Sequence, residues 1–279
     1  MREDPELFLE LLHVEGRHAT ADELALVHDP AYVAALETLI DGLGPEGSAR
    51  LGADTVVSAG SYLAATAAAG CVLDAVDMAM DWRAARSFCA VRPPGHHALR
   101  DGAMGFCLFG NVALAAHYAR KRHGLERVLI VDWDVHHGNG TQALVENEPS
   151  IRFVSMHQWP WYPGTGAATD RGPHGSVWNV PMGPGLPAEE YVGAFLSAVD
   201  RASDGFTPDL VLISAGFDSL SGDPLGGFTL ELEDIARLTR EVAGRADVWC
   251  GGRVVSALEG GYAPPRVGAA CVAHLRSLR

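Results

Sequence analysis

The chain has too few cysteines, too widely scattered, to build a disulfide framework or a thiolate metal site. The five (Cys71, Cys89, Cys107, Cys250, Cys271) are odd in number and include no CxxC pair, which points to a reduced, cytoplasmic protein. Basic charge is also scarce: 21 Lys and Arg stand against 35 Asp and Glu, a net charge of −14. Phosphate contacts need a basic face, so direct nucleic-acid binding and docking on an anionic membrane are not expected. No uninterrupted apolar run approaches the ~18 residues of a membrane span. The N-terminal MREDPELFLELLHVEG lacks the basic region and apolar core of a signal peptide. Repeats, linkers and low-complexity tracts are missing too. At 279 residues and 48% hydrophobic, the expectation is one domain over 1–279 with one large core.

What the chain does have is a dense polar burst behind an apolar run, in RVLIVDWDVHHGNGT at 127–141. Val128, Leu129, Ile130 and Val131 read as a buried parallel strand. If extended geometry continues, a period of two puts Asp132, Asp134 and His136 on one face. Carboxylates and an imidazole so placed can share a metal ion. The alternative is a polar loop whose histidines only hydrogen-bond.

Around this stretch, helical and strand patterns alternate. Helices are expected over 5–43, broken at the turn His28-Asp29-Pro30. Ser58 is expected to cap an alanine-rich helix ending near Met80. Further helices are expected at 111–123, 188–202 and 230–243 and over the last dozen residues. Strands are expected at 87–91, 128–131, 151–156, 177–181, 210–215 and 253–258. The fold class is therefore α/β, a parallel sheet flanked by helices on both faces. His96, His97, Asp134, His136, His157, Asp218 and Tyr262 all follow strands, and the C-terminal edge of such a sheet is where ligands bind.

Asp218 follows the apolar run at 210–214 as Asp134 follows its own strand. Asp134, His136 and Asp218 would leave positions open on one catalytic metal. Taken alone, Asp218 would read as a loop aspartate that caps the next turn. Two-metal ureohydrolases need further carboxylates, but Ser219 and Leu220 stand there. His96 and His97 suit a general base and general acid, tuned apart by an aspartate for one and neutral Asn139 for the other. Neighbouring loop residues should point different ways, so they are not read as a ligand pair. Tyr262, beside two glycines, could donate to a developing oxyanion, or be a core tyrosine.

RPPGHHA, GFCLFGN, VDWDVHHGNGTQ, HQWPWYPGTG, NVP, SAGFDSLSGDPLGG and LEGGY together resemble the successive motifs of the histone deacetylase / acetylpolyamine amidohydrolase family, nearest its class II branch. The resemblance runs from about residue 22 to the C-terminus. It implies an arginase/deacetylase-like fold and one Zn2+ on Asp134, His136 and Asp218. It implies His96 and His97 as the base and acid pair, with Asp132 and Asn139 as their partners, and Tyr262 as carbonyl polariser. It further implies a structural K+ at Asp132, Asp134, His136, Ser155 and Met156. Gly105, Phe106 and Tyr162 would line the substrate channel, with Asp54 at its rim. Leu225 stands where a polyamine-specialised relative carries glutamate, which tilts the expected substrate towards acyl-lysine or a small acylated amine. Acetylpolyamine is the alternative substrate; an impaired acyl-lysine-binding module or a two-metal ureohydrolase-like enzyme are the alternatives of other classes. The family's usual first strand and loop have no counterpart before Met1, so an open rim, an exposed sheet edge and a possible homo-oligomer are expected.

Overall fold

The computed structural model describes residues 4–279. Its main sheet has six parallel strands: β3 (Arg86–Cys89), β4 (Val128–Asp132), β5 (Ile151–Gln158), β6 (Val177–Met182), β7 (Leu210–Ala215) and β8 (Val254–Leu258), in the order β3-β8-β7-β4-β5-β6. A separate antiparallel hairpin is made by β1 (Ser48–Leu51) and β2 (Thr55–Ser58). The sheet is sandwiched, as a parallel sheet must be for both faces to lose water. One face packs on α4 (Ser61–Met80) and α5 (Asn111–His123), the other on α7 (Ala188–Ser203), α8 (Leu232–Cys250) and α9 (Pro264–Leu278).

Strand β4 is central and wholly buried, and its alternation sorts the two cores. Val128 and Ile130 join the α4/α5 core, while Leu129, Val131, Trp133 and Val135 join the other. Each such aliphatic side chain contributes roughly 1.5–3 kcal/mol by leaving water. With Trp133 and Val135 anchored on one side, Asp132, Asp134 and His136 are left for the other. That split puts the polar burst at the C-terminal edge of the sheet, with Asp132 level with Ser155 on β5 and Ser214 on β7.

Several sequence expectations need correction. The N-terminal region is not one helical stretch: α1 (Pro5–Glu10), α2 (Ala21–Leu24) and α3 (Pro30–Asp41) are short, and 12–20 carries no helix. Asp29 caps α3 and Pro30 opens it, so the expected turn is where the helix starts. Ser58 is the last residue of β2, not a helix cap; its N–H donates to Ser61 Oγ at 2.9 Å, and α4 begins at Ser61. Helix α8 runs past Ala243 to Cys250 and stops where Gly251 takes a left-handed φ of 64°. The polar burst itself ends in a further helix, α6 (Asn139–Val145). Helix α4 is long and apolar enough to cross a membrane by composition, yet most of it is buried in this fold as a core helix.

Candidate active site

The tandem histidines sit on the loop after β3, and Asp134 and His136 on the loop after β4. Asp218 follows β7 and Tyr262 follows β8, so four neighbouring strands converge on one point. Asp134 and Asp218 are fully buried and His136 nearly so. His136 Nδ1 lies 2.9 Å from Asp134 Oδ1 and 3.1 Å from Asp218 Oδ2. Backbone groups hold the carboxylates: Gly260 N–H donates to Asp134 Oδ2 at 2.8 Å, and Val135 N–H to Asp218 Oδ1 at 2.8 Å. A Cβ on Gly260 would come within 2.2 Å of Asp218 Oδ2, so only glycine allows that approach.

These residues fit a divalent ion. Ligand atoms sharing one tetrahedral ion at ~2.1 Å stand ~3.4 Å apart, a little wider than the 2.9 and 3.1 Å of His136 Nδ1 from the two carboxylates. Asp218 Oδ2 is buried with no hydrogen-bond donor directed at it, because the His136 N–H points to Asp134. Burial and the neighbouring Asp134 raise the Asp218 carboxyl to about 7. Burial opposes protonation of His136, but its hydrogen bond to Asp134 and the adjacent Asp218 carboxylate prevail and lift it to about 10. Two carboxylates crowded together in a dry site are a setting that a bound cation would stabilise.

His96 and His97 correct the expectation that they diverge: their rings lie 4.0 Å apart, tilted by 44°, and both face the triad. Their partners differ as expected. His96 Nδ1 bonds Asp132 Oδ2 at 3.1 Å, and its Nε2 is 3.7 Å from Asp134 Oδ1. Burial works against its charge, but Asp134 and Asp132 outweigh that and hold it well above the usual range. His97 donates from Nδ1 to Asn139 Oδ1 at 2.6 Å, while the Asn139 amide N–H faces Met104 Sδ at 3.5 Å. Burial, then the charge of His96, push His97 well below the usual range. Two adjacent imidazoles thus favour opposite protonation states.

Tyr262 lies beside them with its ring 6.0 Å from that of Phe106. Burial, then Asp134, keep its phenol protonated. Asp223 Oδ2 accepts the Tyr262 N–H at 2.7 Å, and Asp223 Oδ1 accepts Leu225 N–H, so this aspartate ties the tyrosine to the rim. Gly105 (φ 56°) lies so close that a Cβ would meet the His97 ring at 2.2 Å. The next residue, Phe106, also has a left-handed φ of 67°, which turns its ring out to the mouth. Asp54 Oδ2 accepts the Tyr162 hydroxyl at 2.7 Å, and its Oδ1 accepts Gly105 N–H at 3.1 Å, so hairpin, tandem-His loop and aromatic loop meet at the rim. Trp161 closes the other side, donating from Nε1 to Leu225 O at 2.8 Å.

One sequence expectation falls outside this cluster. His157 lies behind it, bonded to Ser155 Oγ at 3.0 Å and Gly166 O at 2.9 Å, with its ring 4.7 Å from that of His137 and tilted by 52°. His137 itself bonds Thr165 and Gln142, not the triad. Sequence reasoning misses Asp223 and the buried Glu259; the only signal for either is an acid inside a glycine-rich stretch, SGDPLGG or LEGGY.

The model of the histone deacetylase domain matches residues 1–278. The human protein named polyamine deacetylase HDAC10 is 41% identical over 264 residues, covering 90% of this chain and 39% of its own length. The Pseudomonas aeruginosa histone deacetylase-like amidohydrolase is 37% identical over 268 residues, covering 94% of this chain and 70% of its own. A crystal structure described as the HDA15 HD domain superposes with a TM-score of 0.88 at 39% identity, over 95% of this chain and 74% of that one. A domain model spanning almost the whole chain and relatives this similar place the protein in the histone deacetylase family.

Proposed function

We propose that this chain is a zinc-dependent amidohydrolase, one catalytic domain over 1–279, that removes an acyl group from acyl-lysine or a small acylated amine. The observation that carries the reading is the buried Asp134–His136–Asp218 set with two oppositely tuned imidazoles beside it. A divalent ion held by those three residues would polarise the scissile carbonyl and acidify a water molecule. Tyr262, its phenol protonated, donates a hydrogen bond to the carbonyl oxygen as negative charge develops there. His97, its Nδ1–H committed to Asn139, offers Nε2 to take the proton of the attacking water. His96, kept charged between Asp132 and Asp134, gives its proton to the departing amine. The pair returns to its starting state by passing one proton between neighbouring rings.

Phe106 and Tyr162 wall the channel, and Asp54 and Leu225 stand at its mouth. Leu225 is 37% exposed and carries no charge to pair with a second ammonium group, which favours acyl-lysine over an acetylated polyamine. The relative named for polyamine deacetylation makes the polyamine the reading to test against it. The juxtaposition of Asp132 and Ser155 across β4 and β5, with Asp134, His136 and Met156 alongside, supports a structural K+ next to the triad. The acidic net charge supports a role without direct nucleic-acid contact, and the reduced cysteines are consistent with work in the cytoplasm.

The test is kcat/KM of the zinc-loaded protein on an acetyl-lysine peptide and on an acetylated polyamine, with metal counted per chain. One ion per chain, peptide preference and loss of turnover on chelation are expected. Polyamine preference would overturn the Leu225 argument; two ions per chain would favour a ureohydrolase-like centre. A metal-loaded protein silent on both substrates would overturn the enzyme reading.

A further inference from the structure

Glu259, just past the end of β8, is a buried carboxylate that pairs with no Lys or Arg among the described residues and has no part in the steps above. Its Oε2 accepts two consecutive backbone N–H groups, Gly95 at 2.6 Å and His96 at 3.1 Å. Its Oε1 accepts the Ser214 hydroxyl at 3.1 Å, from the end of β7. One side chain therefore fastens the tandem-His loop to the two strands that carry Tyr262 and Asp218. The opposite side of that loop is held by Thr141 N–H, which donates to His96 O at 3.0 Å from α6. Burying a carboxylate is unfavourable unless its acceptors are filled, and here three donors from two other segments fill them. An apolar residue of the same size would fill the space equally well and leave Gly95 and His96 N–H orphaned.

We propose that Glu259 is a positioning residue for the tandem-His loop: by accepting the Gly95 and His96 amides it sets the placement of both imidazoles against the triad. The proposal rests on the reading of His96 and His97 as the proton-transfer pair. It acts on kcat through His96 and His97 without touching substrate. A displacement of ~1 Å in such groups lowers turnover about 100-fold. Glutamine keeps one carbonyl oxygen for both amides and turns its NH2 to Ser214, so it can substitute; leucine cannot.

The experiment compares wild type, Glu259→Leu, Glu259→Gln and Ser214→Ala, all zinc-loaded. Glu259→Leu is expected to lower kcat about 100-fold with KM within about threefold and zinc stoichiometry unchanged. Amide hydrogen exchange is expected to rise in the peptide covering Gly95–His97 and to stay as in wild type in β4 and β7. Glu259→Gln should recover most of the lost kcat and the wild-type exchange pattern. Should Glu259→Leu fail to fold, Ser214→Ala replaces it: a fall in kcat with faster exchange at Gly95–His97 alone supports the proposal. Unchanged kcat and exchange in the leucine variant would overturn it, as would parallel collapse of KM, zinc content and protection throughout the chain. A wild type without turnover whose exchange still responds locally would retire the proton-transfer reading and leave the anchoring role standing.

Discussion

At the floor of the site, Asp132, Asp134 and Asp218 are 0% exposed and take backbone N–H groups from the loop after β4 and from the segment just past β8. At the rim, Phe106, Trp161 and Tyr162 are 42%, 44% and 36% exposed, and each is tied to a neighbouring segment by one hydrogen bond of its own, to Thr55 Oγ1, Leu225 O and Asp54 Oδ2. The floor is the continuation of strands whose other faces are buried in the two cores, so a shift there would disturb the sheet. The rim can change its side chains without disturbing that packing. On the proposed function, chemistry belongs to the floor and choice of substrate to the rim.

The sharpest way to break this contrast is at the floor. His97→Ala removes the neutral imidazole that faces the triad, and kcat is expected to fall by about 10² to 10⁴-fold, the range of one lost acid–base group. KM should move little, because His97 is buried and the rim contacts stay intact. Steady-state kinetics on the acetyl-lysine peptide checks both numbers. A rise in KM with kcat preserved would assign His97 to binding and erase the division between floor and rim.

The floor is largely legible in the residue pattern itself, whereas Asp54, Phe106, Tyr162 and Leu225 at the rim come only from the family resemblance, for physical reasons. A buried run of Val, Leu and Ile followed by acids at alternate positions leaves few other structures open, and Trp133 and Val135 confirm the period. The tandem histidines were legible as chemistry but not as geometry. Their shared direction depends on Asn139, Glu259 and Gly105, which come from three distant parts of the chain. The hairpin β1–β2 was hidden because SARL and TVVS are too short to show alternation. Its role is plain only once Asp54 and Thr55 are seen bonded to the loop at Gly105 and Phe106.

Between floor and rim lies the loop 99–110, and its anchor is a buried histidine. His28 donates from Nδ1 to Leu99 O at 2.9 Å and accepts Gly110 N–H on Nε2 at 2.9 Å. Burial, against the hydrogen bond to Leu99, lowers its pKa from 6.5 to about 4. The folded state refuses a proton that the unfolded chain takes, so this contribution is complete above pH 6.5 and is lost as pH falls from 6.5 through 4. A span of about 2.5 pH units corresponds to ~3 kcal/mol. Chemical denaturation from pH 7.5 to 4 should show wild type losing more stability than His28→Gln by about that amount. Equal slopes would mean that the loop's anchorage does not depend on a neutral ring.

The smallest effect is expected at the rim, and it is the one that tests the contrast from the other side. Trp161→Phe keeps an aromatic ring at the mouth and removes the single bond from Nε1 to Leu225 O. Such a bond contributes about 1 kcal/mol or less where one partner is reached by solvent, so about fivefold at most is expected, carried by KM and differing between peptide and polyamine. kcat should hold, since Leu225 connects to Tyr262 only through Asp223, whose own contacts to both backbones remain. A change confined to KM keeps the two regions separate. A fall in kcat equal on both substrates would mean that the 222–227 loop carries strain from the rim into Tyr262, and that the mouth helps set the chemistry as well as the choice of substrate.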